Sequence, residues 1–149
     1  MGIQEHINQL KRRTILFHSR MEKSIQMAKS ALAEIFQINA IHFEQHTSRT
    51  TKVIEARRFL IYYLFTECGI KHLHMKKYVP ALKNHATSIH HYKKMKELMD
   101  VEPETERSYD NFRAKMEKEG HNLLMKDYTK AIREMALVQE RLETLKKMI

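Results

Sequence analysis

Apolar or small side chains recur at alternating steps of three and four from the start of the chain. They are Ile3, Ile7, Leu10, Thr14, Phe17, Met21, Ser24, Ala28, Ala31 and Ile35. That spacing places them on one helical face and predicts a single long helix over about 3–36. The last segment follows the rule more strictly. Tyr128, Ala131, Met135, Val138, Leu142, Leu145 and Ile149 keep a 3-4 rhythm that predicts a helix over 122–149.

The chain between them is more broken. Asn39 heads a short helix over 40–45, and the polar run His46 to Thr51 reads as a loop. Thr50 or Thr51 then caps a helix reaching Phe65 or Glu67, with Ile54, Phe59, Leu60, Tyr63 and Leu64 as its apolar face. Gly69 ends it from the position just past the cap. A short helix over 71–78 precedes the turn Val79-Pro80-Ala81-Leu82, because Pro80 disfavours helix at Val79. Asn84 caps the next helix, which runs to about Met99 and buries Ile89, Tyr92, Met95 and Leu98. An acidic connector over 100–104, containing Pro103, leads to a helix that ends at Glu119 and stops at Gly120. The fold class is all-α, and there is no internal repeat.

Composition narrows this further. The 149 residues include 3 Gly, 2 Pro and 1 Cys, which suits one compact domain of long regular elements. The lone Cys68 excludes a disulfide framework within one chain and a CxxC zinc site, and fits a reducing cytoplasm. No apolar run approaches the roughly 18 residues of a membrane span. The opening residues lack the apolar stretch of a signal peptide, and His6 stands where a myristoylation site needs Ser or Thr. The expectation is a cytoplasmic protein with no membrane partner.

Charge adds a location. The net charge is +9, and Arg49 to Lys96 alone holds 11 Lys/Arg against 2 Asp/Glu, so the whole excess sits there. A localised basic block is the footprint of a phosphate-backbone binder. In that block lies the order helix, Gly69, short helix, tight turn, then a helix opening Lys83-Asn84-His85-Ala86-Thr87. This is helix-turn-helix order, with the second helix offering its first side chains to a major groove. Asn84 carries an amide able to donate to and accept from a base edge. His85 and Thr87 can bond bases or phosphates. Lys93 and Lys94 lie where a backbone crossing is clamped, Arg57 and Arg58 hold phosphates of the other strand, and Arg49 and Lys52 reach an adjacent minor groove.

The stretch Leu32 to Leu98 resembles the C-terminal DNA-binding domain (domain IV) of the bacterial replication initiator DnaA, a Trp-repressor-like helix-turn-helix fold. Three motifs carry the likeness: Leu32-Ala-Glu-Ile-Phe36 with Ile38 and Phe43, then Ile54-Glu-Ala-Arg-Arg-Phe-Leu-Ile-Tyr-Tyr-Leu64, then Lys83-Asn-His-Ala-Thr-Ser-Ile-His90. The resemblance implies that Arg49 enters a minor groove and that Arg57 contacts base or backbone. It implies that Asn84, His85, Ala86 and Thr87 face bases, and that His90 and Lys94 touch phosphate. This chain departs from the family pattern at Asn84, where the family has an acidic base reader, at Ala86, where it has a hydroxyl, and at Arg58, where it has glutamine. The turn before Lys83 lacks the family's glycine pair and is one residue longer. Two departures fall on base-reading groups, so the target differs from the usual initiator box. There is no GxxxxGK[ST] phosphate loop, hence no nucleotide partner and no ATPase.

The expected organisation is therefore an N-terminal helix over 1–31, a helix-turn-helix domain over 32–99 and a helical arm over 100–149. The expected function is sequence-specific binding of double-stranded DNA in replication initiation or its control, in the compact form of a phage or mobile-element protein acting at the nucleoid. No enzyme activity and no cofactor are implied, since no nucleophile-base set or carboxylate pair is legible. Bland readings compete at several residues. The His72/His74 and His85/His90/His91 clusters lack the Cys or carboxylate that would complete a metal site. His85 can be a helix cap, one of Arg57 and Arg58 can be plain surface charge, and Cys68 reads as a buried helix end. Tyr62, Tyr63 and Tyr78 read as core. The terminal stripes can pack on each other, which their small and polar members favour, or join two chains as a homodimer. In a rival reading the terminal helices are the working surface of a helical interaction protein, and the centre is a scaffold.

Overall fold

A computed structural model describes residues 2–46 and 48–149, with side chains throughout except at 13–19 and 124. The stripe positions Thr14 and Phe17, and Thr47 of the expected loop, lie outside what is described. The fold is all-helical: α1 (Ile3–Phe36), a 3-10 turn (Ala40–Phe43), α2 (Thr51–Thr66), α3 (His72–Tyr78), α4 (His85–Val101) and α5 (Pro103–Met148). Among the described residues no helix is long and apolar enough to cross a membrane.

Local chemistry sets most boundaries. Asn39 accepts a hydrogen bond from the Ile41 N–H and so starts the 3-10 turn. Gly69 takes φ +69, a left-handed conformation that costs a glycine little. The chain then turns so that the Ile70 N–H reaches the Leu64 carbonyl at 3.0 Å. Asn84 caps α4 by accepting from the Thr87 N–H at 3.1 Å. Pro103 opens α5, where its missing N–H costs nothing.

Two boundaries differ from the sequence reading. The connector expected over 100–104 shrinks to Glu102, between α4 and α5. Gly120 does not end a helix, because α5 runs unbroken through it. A glycine inside a helix costs about 1 kcal/mol relative to alanine, which a helix held by packing on one side absorbs.

A single core joins all five helices. Ile25, Ala28, Ala31 and Leu32 of α1 meet Phe59, Leu60 and Leu64 of α2, Met75 of α3, Met95 of α4, and Tyr109, Phe112 and Met116 of α5. Each large side chain buried here contributes about 1.5–3 kcal/mol. The core therefore crosses residues 31 and 99, and both flanking helices help to build it. On α4, Met95 and Ser88 are buried while Ile89, Tyr92 and Leu98 are half-buried. An aromatic seam binds the helices edge to face. Phe59 meets Phe36 at 5.0 Å and Tyr109 at 6.0 Å, and Tyr62 meets Tyr109 at 5.0 Å and stacks on Tyr92 at 5.6 Å. Tyr62 and Tyr63 are thus packing residues.

α1 and α5 run in opposite directions. Lys115 bonds Glu34 at 2.8 Å, and Met27 faces the same cleft as Leu123. Beyond this contact the ends of the two stripes are exposed among the described residues. Ile3, Ile7 and Leu10 are exposed, and so are Tyr128, Met135, Val138, Leu142, Leu145 and Ile149. Among the described residues, packing of the α5 stripe on the start of α1, the arrangement their composition favours, is not seen.

Candidate nucleic-acid interface

From Cys68 to Lys96 there is no Asp or Glu, while seven lysines occur: Lys71, Lys76, Lys77, Lys83, Lys93, Lys94 and Lys96. All but Lys94 are exposed, and Lys94 is half-exposed. Folding adds the loop before α2 to this run. The Ala81 N–H bonds the Phe43 carbonyl at 3.1 Å, which ties the turn before α4 to the 3-10 segment. His46 sits in the seam. Desolvation, then the charges of Arg57, Arg49 and Lys83, push its imidazole below the ordinary value, while a hydrogen bond to the Ala81 backbone opposes them. Arg49 and Lys83, distant in sequence, therefore both act on one histidine. Lys52 is exposed on the first turn of α2, whose N-terminus has no side-chain cap. Lys76 donates to the Lys83 carbonyl at 3.2 Å, which brings α3 onto the same face. Lys76, Lys77 and His46 were not singled out from sequence; the acid-free run contained the signal for the lysines.

At the start of α4, Lys83, Asn84, His85 and Ala86 are exposed and Thr87 is half-buried. Asn84 is committed in part. Its Oδ1 accepts from the Thr87 N–H at 3.1 Å and from the Thr87 hydroxyl at 3.3 Å. A carbonyl oxygen has two lone pairs, so the amide keeps its donors and loses its acceptor. The sequence view of Asn84 as both donor and acceptor is corrected accordingly. The Thr87 hydroxyl, its proton spent on Asn84, is left as an acceptor. Farther along, His90 and Lys93 are exposed, and Lys94 lies 3.9 Å from Glu97.

The two arginines of α2 do not join this face. Arg57 is 3% exposed. Its guanidinium donates to the carbonyls of His42 at 2.8 Å, Gln45 at 3.1 Å and Ser48 at 3.2 Å. It clamps the 3-10 turn and the following loop onto α2, and burial keeps its two remaining N–H groups from a phosphate in solvent. Arg58 is half-buried and borders a cleft of ≈ 390 Å³ with Glu55, Glu102 and Glu104. Neither arginine is plain surface charge.

The histidines divide as well. His72 stacks on Phe65 at 4.3 Å and its Nδ1 is hydrogen-bonded to the buried Ser88 hydroxyl at 2.7 Å, so it pins α3 to α4. His91 is pushed down to about 4 by burial and then by Arg58, His90 and Arg57. Among the described residues no three His, Cys, Asp or Glu side chains gather as metal ligands.

No protein-family profile matches this chain, and no curated protein matches it. The face must be read from its own chemistry. Cys68 offers no competing nucleophile, since burial and Glu67 push its thiol up to about 11 and it stays protonated at neutral pH.

Proposed function

We propose that this chain binds double-stranded DNA, with α3 and α4 acting as a helix-turn-helix and the start of α4 entering the major groove. The observation that carries this is the acid-free run over 68–96 with its exposed lysines, joined by the charges of Arg49 and Lys83 that both act on His46. Duplex phosphates attract such a face, and counterion release supplies most of the non-specific affinity. In this reading Arg49, Lys52, Lys83, Lys93 and Lys94 neutralise phosphate, with His90 beside them. Asn84, His85, Ala86 and Thr87 meet base edges. A donor-only Asn84 suits acceptors such as guanine O6 and N7, and denies the two-bond pairing of asparagine with adenine. Arg57 and Arg58 take no part. The reaction is binding without bond chemistry. The process we assign is control of replication initiation by a phage or mobile-element protein acting in a bacterial cytoplasm, on the DnaA-like order of motifs.

Fluorescence titration of labelled random duplexes against salt tests the reading. Five neutralised phosphates give a slope of log affinity against log salt of about −4 to −5. Lys94→Ala should weaken all duplexes alike and reduce that slope by about 1. His85→Ala should relax sequence preference after selection from a random pool. Absence of binding at low salt, or a slope of zero, rejects the proposal. A second reading, a helical interaction protein, is favoured by the uncovered apolar stripe on α5; it predicts that deleting 124–149 abolishes function while DNA affinity is nil throughout.

A further inference from the structure

The second half of α5 carries an apolar stripe that no described residue covers. Tyr128 is 62% exposed, Met135 66%, Val138 54%, Leu142 53% and Leu145 57%. A contiguous stripe of this size on a regular helix marks an interaction surface. Its strict 3-4 rhythm makes Tyr128, Met135, Leu142 and Ile149 the a positions of a heptad repeat, and Ala131, Val138 and Leu145 the d positions. The flanking charges then decide what covers it. The g positions are Asp127, Glu134, Arg141 and Met148, and the e positions are Met125, Ile132, Gln139 and Lys146.

In a parallel pair of identical helices each g residue faces the e residue five positions on in the partner. Arg141 would then meet Lys146 of the other copy, twice, and Glu134 would meet a neutral Gln139. In an antiparallel pair g residues face g residues. Setting each a position against a d position centres the pair between residues 136 and 137. The layers become Tyr128 on Leu145, Ala131 on Leu142 and Met135 on Val138, each occurring twice. The same register sets Glu134 of one copy against Arg141 of the other, also twice. Small Ala131 faces large Leu142, which lets the helices approach without a void. No ion pair engages Glu134 or Arg141 among the described residues, so both charges are available.

We infer that two copies of this chain associate through an antiparallel coiled coil of the second half of α5, centred between residues 136 and 137 and keyed by Glu134 against Arg141. The inference stands apart from DNA binding, and its test contains no DNA, so either can fail alone. Sedimentation of the full chain from low to high micromolar concentration, at modest salt, reads the association. Wild type should pass from monomer to dimer. Glu134→Arg and Arg141→Glu should each weaken the dimer about tenfold or more, since each turns two attractive pairs repulsive. The double variant Glu134→Arg/Arg141→Glu should restore it to within about threefold of wild type. Leu142→Asp should leave a folded monomer, because Leu142 lies outside the core. A wild type that stays monomeric overturns the inference, as does a dimer indifferent to both reversals. Tighter association in Arg141→Glu points to parallel pairing, relieved of its clash with Lys146, and overturns the antiparallel register. Loss of association on removing Ile3, Ile7 and Leu10 by alanine substitution, with both charge reversals silent, assigns the stripe to α1 instead and overturns it too.

Discussion

The two halves of α5 carry apolar side chains at the same helical spacing and meet different fates. Tyr109, Phe112 and Met116 are buried, whereas Met135, Val138, Leu142 and Leu145 stand in solvent. The helix is continuous across the join, so neither propensity nor geometry separates them. What differs is the surroundings: Tyr109 and Phe112 of the first half meet Phe59, Tyr62 and Tyr63 of α2 edge to face, whereas the stripe of the second half stays exposed. An amphipathic stripe is thus an offer of burial, and the rest of the molecule decides whether it is taken.

The largest test of this contrast is Phe112→Ala, which opens a cavity in the core. It should cost about 3–5 kcal/mol in urea unfolding. Polar groups under cover extend the comparison. The folded state holds His91 near 4 against an ordinary 6.5, so the unfolded chain takes up a proton that the native chain refuses. Stability is therefore full above about pH 6.5 and falls as pH drops towards 4, by about 3 kcal/mol in all. Unfolding free energies at pH 7.5 and pH 4 should differ by that much less in His91→Gln than in wild type.

Arg57→Met should cost about 2–3 kcal/mol, because three carbonyls lose a charged donor. Arg57→Lys should not recover it, since one ammonium cannot span three acceptors; equal stability of Lys and wild type would show that the clamp is unimportant. At the join itself, Gly120→Ala should raise stability by about 0.5–1 kcal/mol, as a β-carbon there meets nothing within 4 Å. The smallest effect belongs to the uncovered half: Leu142→Ala, measured in dilute solution, should change unfolding by less than about 0.5 kcal/mol.

Legibility in the sequence followed the same division. The bounds of α1, the start of α4 at Asn84 and the turn at Pro80 could be read locally, because a period, a cap and a ring constraint act within a few residues. Gly120 was misread as a stop because its local cost is real but small beside the packing of Phe112 and Met116. Arg57 and Arg58 are neighbours of one type, and nothing near them in sequence tells which will be buried. The carbonyls that claim Arg57 belong to residues 9 to 15 positions away, brought in by a fold that periodicity does not describe. The basic face was legible as charge, while its inclusion of Lys76 and its exclusion of Arg57 and Arg58 were not. The cap at Asn84 was legible, but the second bond from the Thr87 hydroxyl, which takes up the remaining lone pair of the amide oxygen, was not.

The unbroken course of α5 has a mechanical consequence. Its 46 residues amount to about 70 Å of contour at about 1.5 Å per residue, rooted at one end in the core. Two such helices overlapped antiparallel about residues 136 and 137 would hold their roots roughly 100 Å apart, the length of about 30 base pairs of duplex at ~3.4 Å each. In such a dimer the helix would act as a gauge. The number of residues between Pro103 and the coiled segment would set the distance between two bound sites, and deleting one heptad there from each chain would shorten the span by roughly 20 Å.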